Sequence, residues 1–260
     1  MKLSLLFIGI FIAHCKGEVR IAGGEVTTIN QYPFAAALLT NVDGAAFIQR
    51  CGGSILSRSA ILSVASCFYT GDQVHQARNW RARVGSSYSA SGGTIYFIRQ
   101  INIYSTFEPT STRYDVAVLR TTFDMVFQPG VVEAAFIAGR SYSFSPNQEV
   151  RAIGWGEGSN TEEPTTQLRH VDIWVVDQQL CASRYGNDPN IDENAVCAGW
   201  IDVGVKGQCP GDNGSPLLDS NNTVVGIFSW AQGCADLIHP GVNTRVSAFT
   251  SWIVATALQP

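Results

Sequence analysis

Short β-prone runs, each closed by Gly, Ser, Asn or Pro, follow one another along almost the whole chain. Arg81–Val84, Thr94–Phe97, Val116–Leu119, Val150–Gly154, Asp172–Val176 and Val224–Trp230 are examples. Many short strands separated by turn residues predict an all-β chain, built as an antiparallel barrel or sandwich. Helical spacing surfaces only at the tail, where Val246, Phe249, Trp252, Ile253 and Ala257 share one face. That spacing predicts a single amphipathic helix docked on the body, with Ser247 as its cap.

A chain of 260 residues that is 45% apolar has ample length for a buried core. Its net charge of -4 and pI near 5.5 argue against a nucleic-acid or anionic-membrane partner. Met1 and Lys2 give a basic start, Leu3 to Ala13 an apolar run too short to span a bilayer, and Cys15 and Gly17 small residues suited to cleavage. Residues 1–17 are therefore expected to be a signal peptide and the mature protein to be exported and soluble.

Of the seven cysteines, Cys15 belongs with the signal segment. Cys51, Cys67, Cys181, Cys197, Cys209 and Cys234 then form an even set in an oxidising compartment. Spacing alone does not choose among their pairings. They contain no C-x-x-C pair, so no metal site is expected, and no motif calls for a cofactor. From Ile21 onward Lys206 is the only lysine, among many arginines. An ammonium loses its charge in a strongly alkaline fluid and a guanidinium does not, so adaptation to an alkaline lumen is one reading and lineage bias the other.

Several segments together resemble the trypsin/chymotrypsin family, from Ile21 to the C-terminus. They are Arg20-Ile21-Ala22-Gly23-Gly24, Cys51-Gly52-Gly53-Ser54-Ile55-Leu56, Tyr114-Asp115-Val116-Ala117-Val118-Leu119, Ala152-Ile153-Gly154-Trp155-Gly156 and Pro240-Gly241-Val242-Asn243-Thr244-Arg245-Val246. Gln167-Leu168-Arg169-His170-Val171 and Val196-Cys197-Ala198-Gly199-Trp200 are most similar to insect, lepidopteran, members. The resemblance implies two six-stranded antiparallel β-barrels, roughly 21–130 and 131–245, a cleft between them and a C-terminal helix over 246–258. It also implies a short activation peptide, 18–20, and the pairs Cys51–Cys67, Cys181–Cys197 and Cys209–Cys234.

The family's catalytic slots are altered. Ile61-Leu62-Ser63-Val64-Ala65-Ser66-Cys67 carries Ser66 where the family has histidine, and Cys209-Pro210-Gly211-Asp212-Asn213-Gly214-Ser215-Pro216 carries Asn213 where it has the nucleophilic serine. Asp115 fills the carboxylate slot. A hydroxyl has no proton affinity near neutral pH, and an amide nitrogen is delocalised into its carbonyl, so neither residue does the usual work. His75, His170 and His239 read as ordinary surface histidines, and Asp115 as a carboxylate held by Ser229 and Ser66.

The resemblance implies further roles. The backbone N–H groups of Gly211 and Asn213 form an oxyanion hole; cleavage after Arg20 frees the Ile21 amine to pair with Asp212. The specificity pocket is drawn by Gly207, Ser229, Trp230, Ala231 and Gly241. Gly207 stands where trypsins have an aspartate, so the pocket is expected to be neutral, narrowed at Ala231 and open at Gly241, favouring small to medium apolar residues. Asn221 is the better glycan acceptor; the Asn213 sequon is expected to be buried.

The resulting expectation is a secreted monomer that is not an enzyme. Its partners are expected to be protease inhibitors, proteases, or immune or gut components. The alternative is an active or weakly active serine endopeptidase with apolar specificity and a digestive setting.

Overall fold

Strand β7 shows the rule that builds both halves of the molecule: Trp80, Ala82 and Val84 are buried while Arg81 and Arg83 between them are half-exposed. The computed structural model describes residues 23–41, 44, 46–156 and 166–259. The expected signal peptide, the activation peptide and Ile21 lie outside the described residues.

In chain order the strands are β1 (Glu25–Val26), β2 (Ala35–Thr40), β3 (Ile48–Ser57), β4 (Ala60–Ser63), β5 (Tyr69–Thr70), β6 (Gln73–Val74), β7 (Trp80–Val84) and β8 (Thr94–Ile103). They continue with β9 (Ala117–Thr121), β10 (Glu149–Gly154), β11 (Arg169–Val175), β12 (Ala195–Gly199), β13 (Pro216–Leu218), β14 (Val224–Trp230) and β15 (Gly241–Arg245). The α-helices are α1 (Gln178–Arg184) and α2 (Val246–Ala257).

β2-β3-β4-β9-β8-β7 close into one antiparallel barrel. β11-β10-β13-β14-β15-β12 form the second, closed by β11 on β12, and β1 adds to the outside of β11. Closure leaves neither barrel an open edge along its wall. The first barrel is filled by Leu38, Ile55, Ile61, Phe68, Trp80 and Leu119, with Phe68 edge-on to Trp80 at 4.8 Å. The second is filled by Ile153, Ile173, Leu217, Val225 and Ile227.

Three disulfides form, Cys51–Cys67, Cys181–Cys197 and Cys209–Cys234, the pairs the resemblance implied. Each restricts the unfolded chain.

Helix α1 was not legible in the sequence. Its cap is Asp177, whose Oδ1 accepts the N–H groups of Gln179 (2.9 Å) and Leu180 (3.0 Å), and Cys181 pins it to β12. Helix α2 forms where expected, but Ser247 is not its cap. β15 runs straight into the helix, so the extended residue at the boundary is Arg245, with no side-chain cap, and Ser247 is buried inside the first turn.

α2 also reaches back to the first barrel. Phe249 and Trp252 pack edge-on against Tyr104 at 5.1 and 5.2 Å, and the buried Arg120 of β9 donates from Nη1 to the Ala257 carbonyl at 2.5 Å.

Candidate active site

Each barrel delivers part of the site to the seam between them. From the first barrel, β4 ends in a 3-10 turn, Ala65–Phe68, which carries Ser66 and is anchored through Cys67 to Cys51 on β3. Asp115 stands two residues before β9, and its backbone carbonyl accepts from Thr244 Oγ1 of β15 at 2.7 Å. From the second barrel come the loop Cys209–Ser215 and the end of β14 with Ser229 and Trp230.

The loop is tightly fixed. Asp212 N donates to the Cys209 carbonyl (3.0 Å), Ser215 N to the Asp212 carbonyl (2.8 Å) and Gly214 N to the Phe228 carbonyl (2.7 Å). Gly52 N donates across the seam to the Asn213 carbonyl at 2.8 Å. Gly214 has φ +82°, and a Cβ there would run into Ser63 Oγ and the Gly52 carbonyl, so only glycine fits.

Asp115 is buried and well satisfied. Its Oδ1 accepts from Ser66 N at 2.7 Å; its Oδ2 accepts from Ser66 Oγ at 2.7 Å and from Ser229 Oγ at 2.5 Å. Burial pushes its carboxyl above the ordinary value, and the donors of Ser229, Ser66 and Ala65 pull against that push.

Asn213 extends the same chain of contacts. Its Nδ2 donates to the Ser229 carbonyl at 2.5 Å, and its Oδ1 accepts from Gly211 N at 3.3 Å. Ser66, Asp115, Ser229, Asn213 and Gly211 are thus one connected set. The sequence reading treated the Gly211 N–H as open; the Asn213 side chain occupies it.

Asp212 is the other buried carboxylate. It accepts from Gly156 N at 2.7 Å and Cys209 N at 3.0 Å, and no cation pairs with it among the described residues. Burial pushes its pKa up to about 7 against those two hydrogen bonds. A Cβ on Gly154 or Gly156 would collide with this carboxylate, which explains two glycines of the Gly154-Trp155-Gly156 segment.

The histidines are held elsewhere. His75 stacks on Trp80 at 5.9 Å and bonds Thr70 Oγ1; His170 Nδ1 bonds Tyr32 Oη at 2.7 Å; His239 Nδ1 bonds Asp236 at 2.8 Å. Burial first, and the Arg151 charge second, lower the His170 pKa.

Around the pocket residues the structure adds partners that sequence reasoning missed. Gln208 and Asn243 are buried and bond each other reciprocally, at 3.0 and 3.1 Å. The space expected beside Gly241 is taken by Gln208 Oε1 and the Phe228 ring, which a Cβ there would approach to 3.0 and 3.3 Å. Gly207 lies against Ala235, whose Cα would be 3.0 Å from an added Cβ. What remains is a cavity of about 140 Å³ bounded by Pro210, Asn213, Phe228, Trp230, Ala231 and Gly233. A larger groove of about 460 Å³, lined by Leu39, Phe47 and Arg83, shares Pro210 and Asn213 with that cavity. Gln49, also missed, donates from Nε2 to the Gly211 carbonyl at 2.8 Å and supports the loop. The adjacent glutamine before Cys209 was the available signal for the filled pocket; its partner Asn243 is 35 residues away.

Two closed antiparallel barrels that meet at a seam, with a C-terminal helix reaching from one to the other, make up the two-barrel trypsin fold. Residues 21–253 match the Trypsin family model, and the chain belongs to that family. It is 42% identical over 262 residues to "Trypsin CFT-1" of Choristoneura fumiferana, covering 99% of this chain and 100% of that one. It is 43% identical over 235 residues to "Trypsin, alkaline A" of Manduca sexta, covering 90% of each. These relatives correct the expectation, drawn from Ser66 and Asn213, that the chain is not an enzyme: proteins named trypsins match it over nearly its whole length, and they point to a serine endopeptidase.

Proposed function

We propose that this chain is a secreted serine endopeptidase of low turnover that takes extended peptides presenting a small or medium apolar side chain. The observation that carries the reading is the neutral 140 Å³ cavity at Pro210 and Asn213, built from Phe228, Trp230, Ala231 and Gly233. Among the described residues no carboxylate lines that cavity to receive Lys or Arg. Once the Asn213 carboxamide has moved off Gly211 N, the backbone N–H groups of Gly211 and Asn213 are the donors for the oxyanion that develops on a scissile carbonyl. Asn213 offers no hydroxyl, so solvent water adds to the carbonyl, its proton passes to solvent, and the leaving alcohol or amine departs with a proton taken from solvent; the acceleration left to donor positioning and peptide binding is roughly 10³–10⁴ over water.

The setting is extracellular, in keeping with three disulfides, and an alkaline lumen agrees with the lone Lys206 of the mature chain. Cleavage after Arg20 and pairing of the Ile21 amine with Asp212 complete the reading, because Asp212 is a buried carboxylate awaiting a cation. Asn221 sits exposed on the β13–β14 turn, where a glycan is accommodated.

The same cleft favours the exposed loops of protein protease inhibitors. The fully hydrogen-bonded Ser66–Asp115–Ser229 set supports this second reading, since a rigid cleft loses little order on docking.

The test is hydrolysis of N-acyl peptide p-nitrophenyl esters by the protein cleaved at Arg20. Leucine esters should be hydrolysed about 10³-fold or more above buffer, and arginine esters much less. Equal rates for both, or a leucine-ester rate equal to buffer, would refute the reading. Calorimetric titration with a small protein inhibitor checks the second reading; no heat of binding would remove it.

A further inference from the structure

The Asn213 carboxamide is bound as a peptide bond would be. Its oxygen faces a donor, Gly211 N–H at 3.3 Å, and its nitrogen faces an acceptor, the Ser229 carbonyl at 2.5 Å. Exchanging oxygen and nitrogen would set N–H against N–H and carbonyl against carbonyl, so the network fixes the amide's orientation. A peptide carries the same pair of groups, one carbonyl and one N–H.

The position of the side chain strengthens the case. Asn213, with Pro210, lines both the 140 Å³ cavity and the 460 Å³ groove, so its side chain stands where the two adjoin. An extended peptide that filled both would cross the space the carboxamide holds. The backbone of Asn213 is pinned by Gly52 N and by the Cys209–Cys234 bridge beside it, so clearing the path needs only rotation of the side chain.

We propose that Asn213 acts as an internal stand-in for substrate: its amide keeps the cleft self-occupied, and an incoming peptide must displace it. This inference rests on the peptide-binding reading above and sharpens it, because it names the residue that opposes binding. Displacement exchanges two hydrogen bonds for two equivalent ones, so the incoming main chain gains little at this point. Affinity then comes mainly from the apolar side chain and the groove. Removing the carboxamide restores the full value of both main-chain bonds to the ligand.

The test compares the full chain, cleaved at Arg20, with its Asn213→Ala and Asn213→Ser variants; the serine variant keeps the test open if the alanine variant fails to fold. The probe is an N-acetylated Ala-Ala-Pro-Leu amide, followed by calorimetry. The expected result is Kd tightened by about 5- to 100-fold in Asn213→Ala, the worth of two ordinary hydrogen bonds. Unchanged or weaker binding in the variants would overturn the stand-in role while leaving peptide binding intact. Amide exchange by NMR reads the contact without any peptide. Gly211 N–H should exchange at least several-fold faster in Asn213→Ala than in the parent chain. Equal exchange rates would overturn the proposal whether or not peptide binds. Absence of peptide binding in every form, with Gly211 exchange still accelerated, would support the self-occupied contact and sink the peptide-cleft reading.

Discussion

Asp212 should make the uncleaved chain lose stability as pH rises. The perturbation is Asp212→Asn, made in a chain that also carries Arg20→Gln to block cleavage. In the folded protein burial holds the Asp212 pKa at about 7, against an ordinary carboxyl value of 3.8. The folded state therefore binds this proton more tightly than the unfolded state does. The sign follows: the contribution favours folding most below the unfolded pKa, and it is lost as pH climbs from about 4 to about 7. A shift of about three units, at ~1.4 kcal/mol each, amounts to ~4 kcal/mol. Side-chain exposure of zero means solvent screening takes little from that figure.

The assay is urea unfolding at pH 4 and pH 8. The aspartate chain should lose about 4 kcal/mol more than the asparagine chain between those two values. Asparagine keeps one acceptor for Gly156 N but turns an N–H toward Cys209 N, so its whole curve shifts downward. The difference in pH slope, not the level, is the readout. Parallel slopes for the two chains would refute the buried, unpaired carboxylate. In a chain cleaved at Arg20, pairing with the Ile21 amine should abolish the loss.

Three further outcomes are expected. Ser66→His combined with Asn213→Ser should raise leucine-ester hydrolysis by about 10²–10⁴, whereas either change alone should give little, because base and nucleophile act as a unit; steady-state kinetics on the three variants checks this. Ser66→Ala removes one of the donors on buried Asp115 and should cost ~1–3 kcal/mol in urea unfolding. Gly207→Asp should not create affinity for benzamidine in a fluorescence titration, since its Cβ would press on the Ala235 backbone.

The strands were legible because alternation leaves a two-residue period, as in Trp80, Ala82 and Val84, and the tail helix because twelve residues give its period room to show. Helix α1 was hidden by length: seven residues hold less than two full turns, and a cap and a disulfide stabilise it more than its own periodicity. The slots Ser66, Asp115 and Asn213 were readable from their flanking segments. What their side chains do was not. The Asn213 amide nitrogen meets the Ser229 carbonyl on β14, and the Gln208–Asn243 bond joins residues far apart in sequence. Such pairings are set by the closed barrels and leave no local mark.

The bond from Arg120 Nη1 to the Ala257 carbonyl orders assembly in time. The strands of the first barrel all precede residue 122, and its own disulfide closes within residues 51–67, so that barrel can be complete early in synthesis. The residues that clasp it to the second barrel are among the last to be made. Until they arrive, Phe249 and Trp252 cannot pack on Tyr104, and Arg120 has no Ala257 carbonyl to meet. A chain cut a dozen residues short would thus keep Asp115, Ser229 and Thr244 but lose that clasp between the barrels.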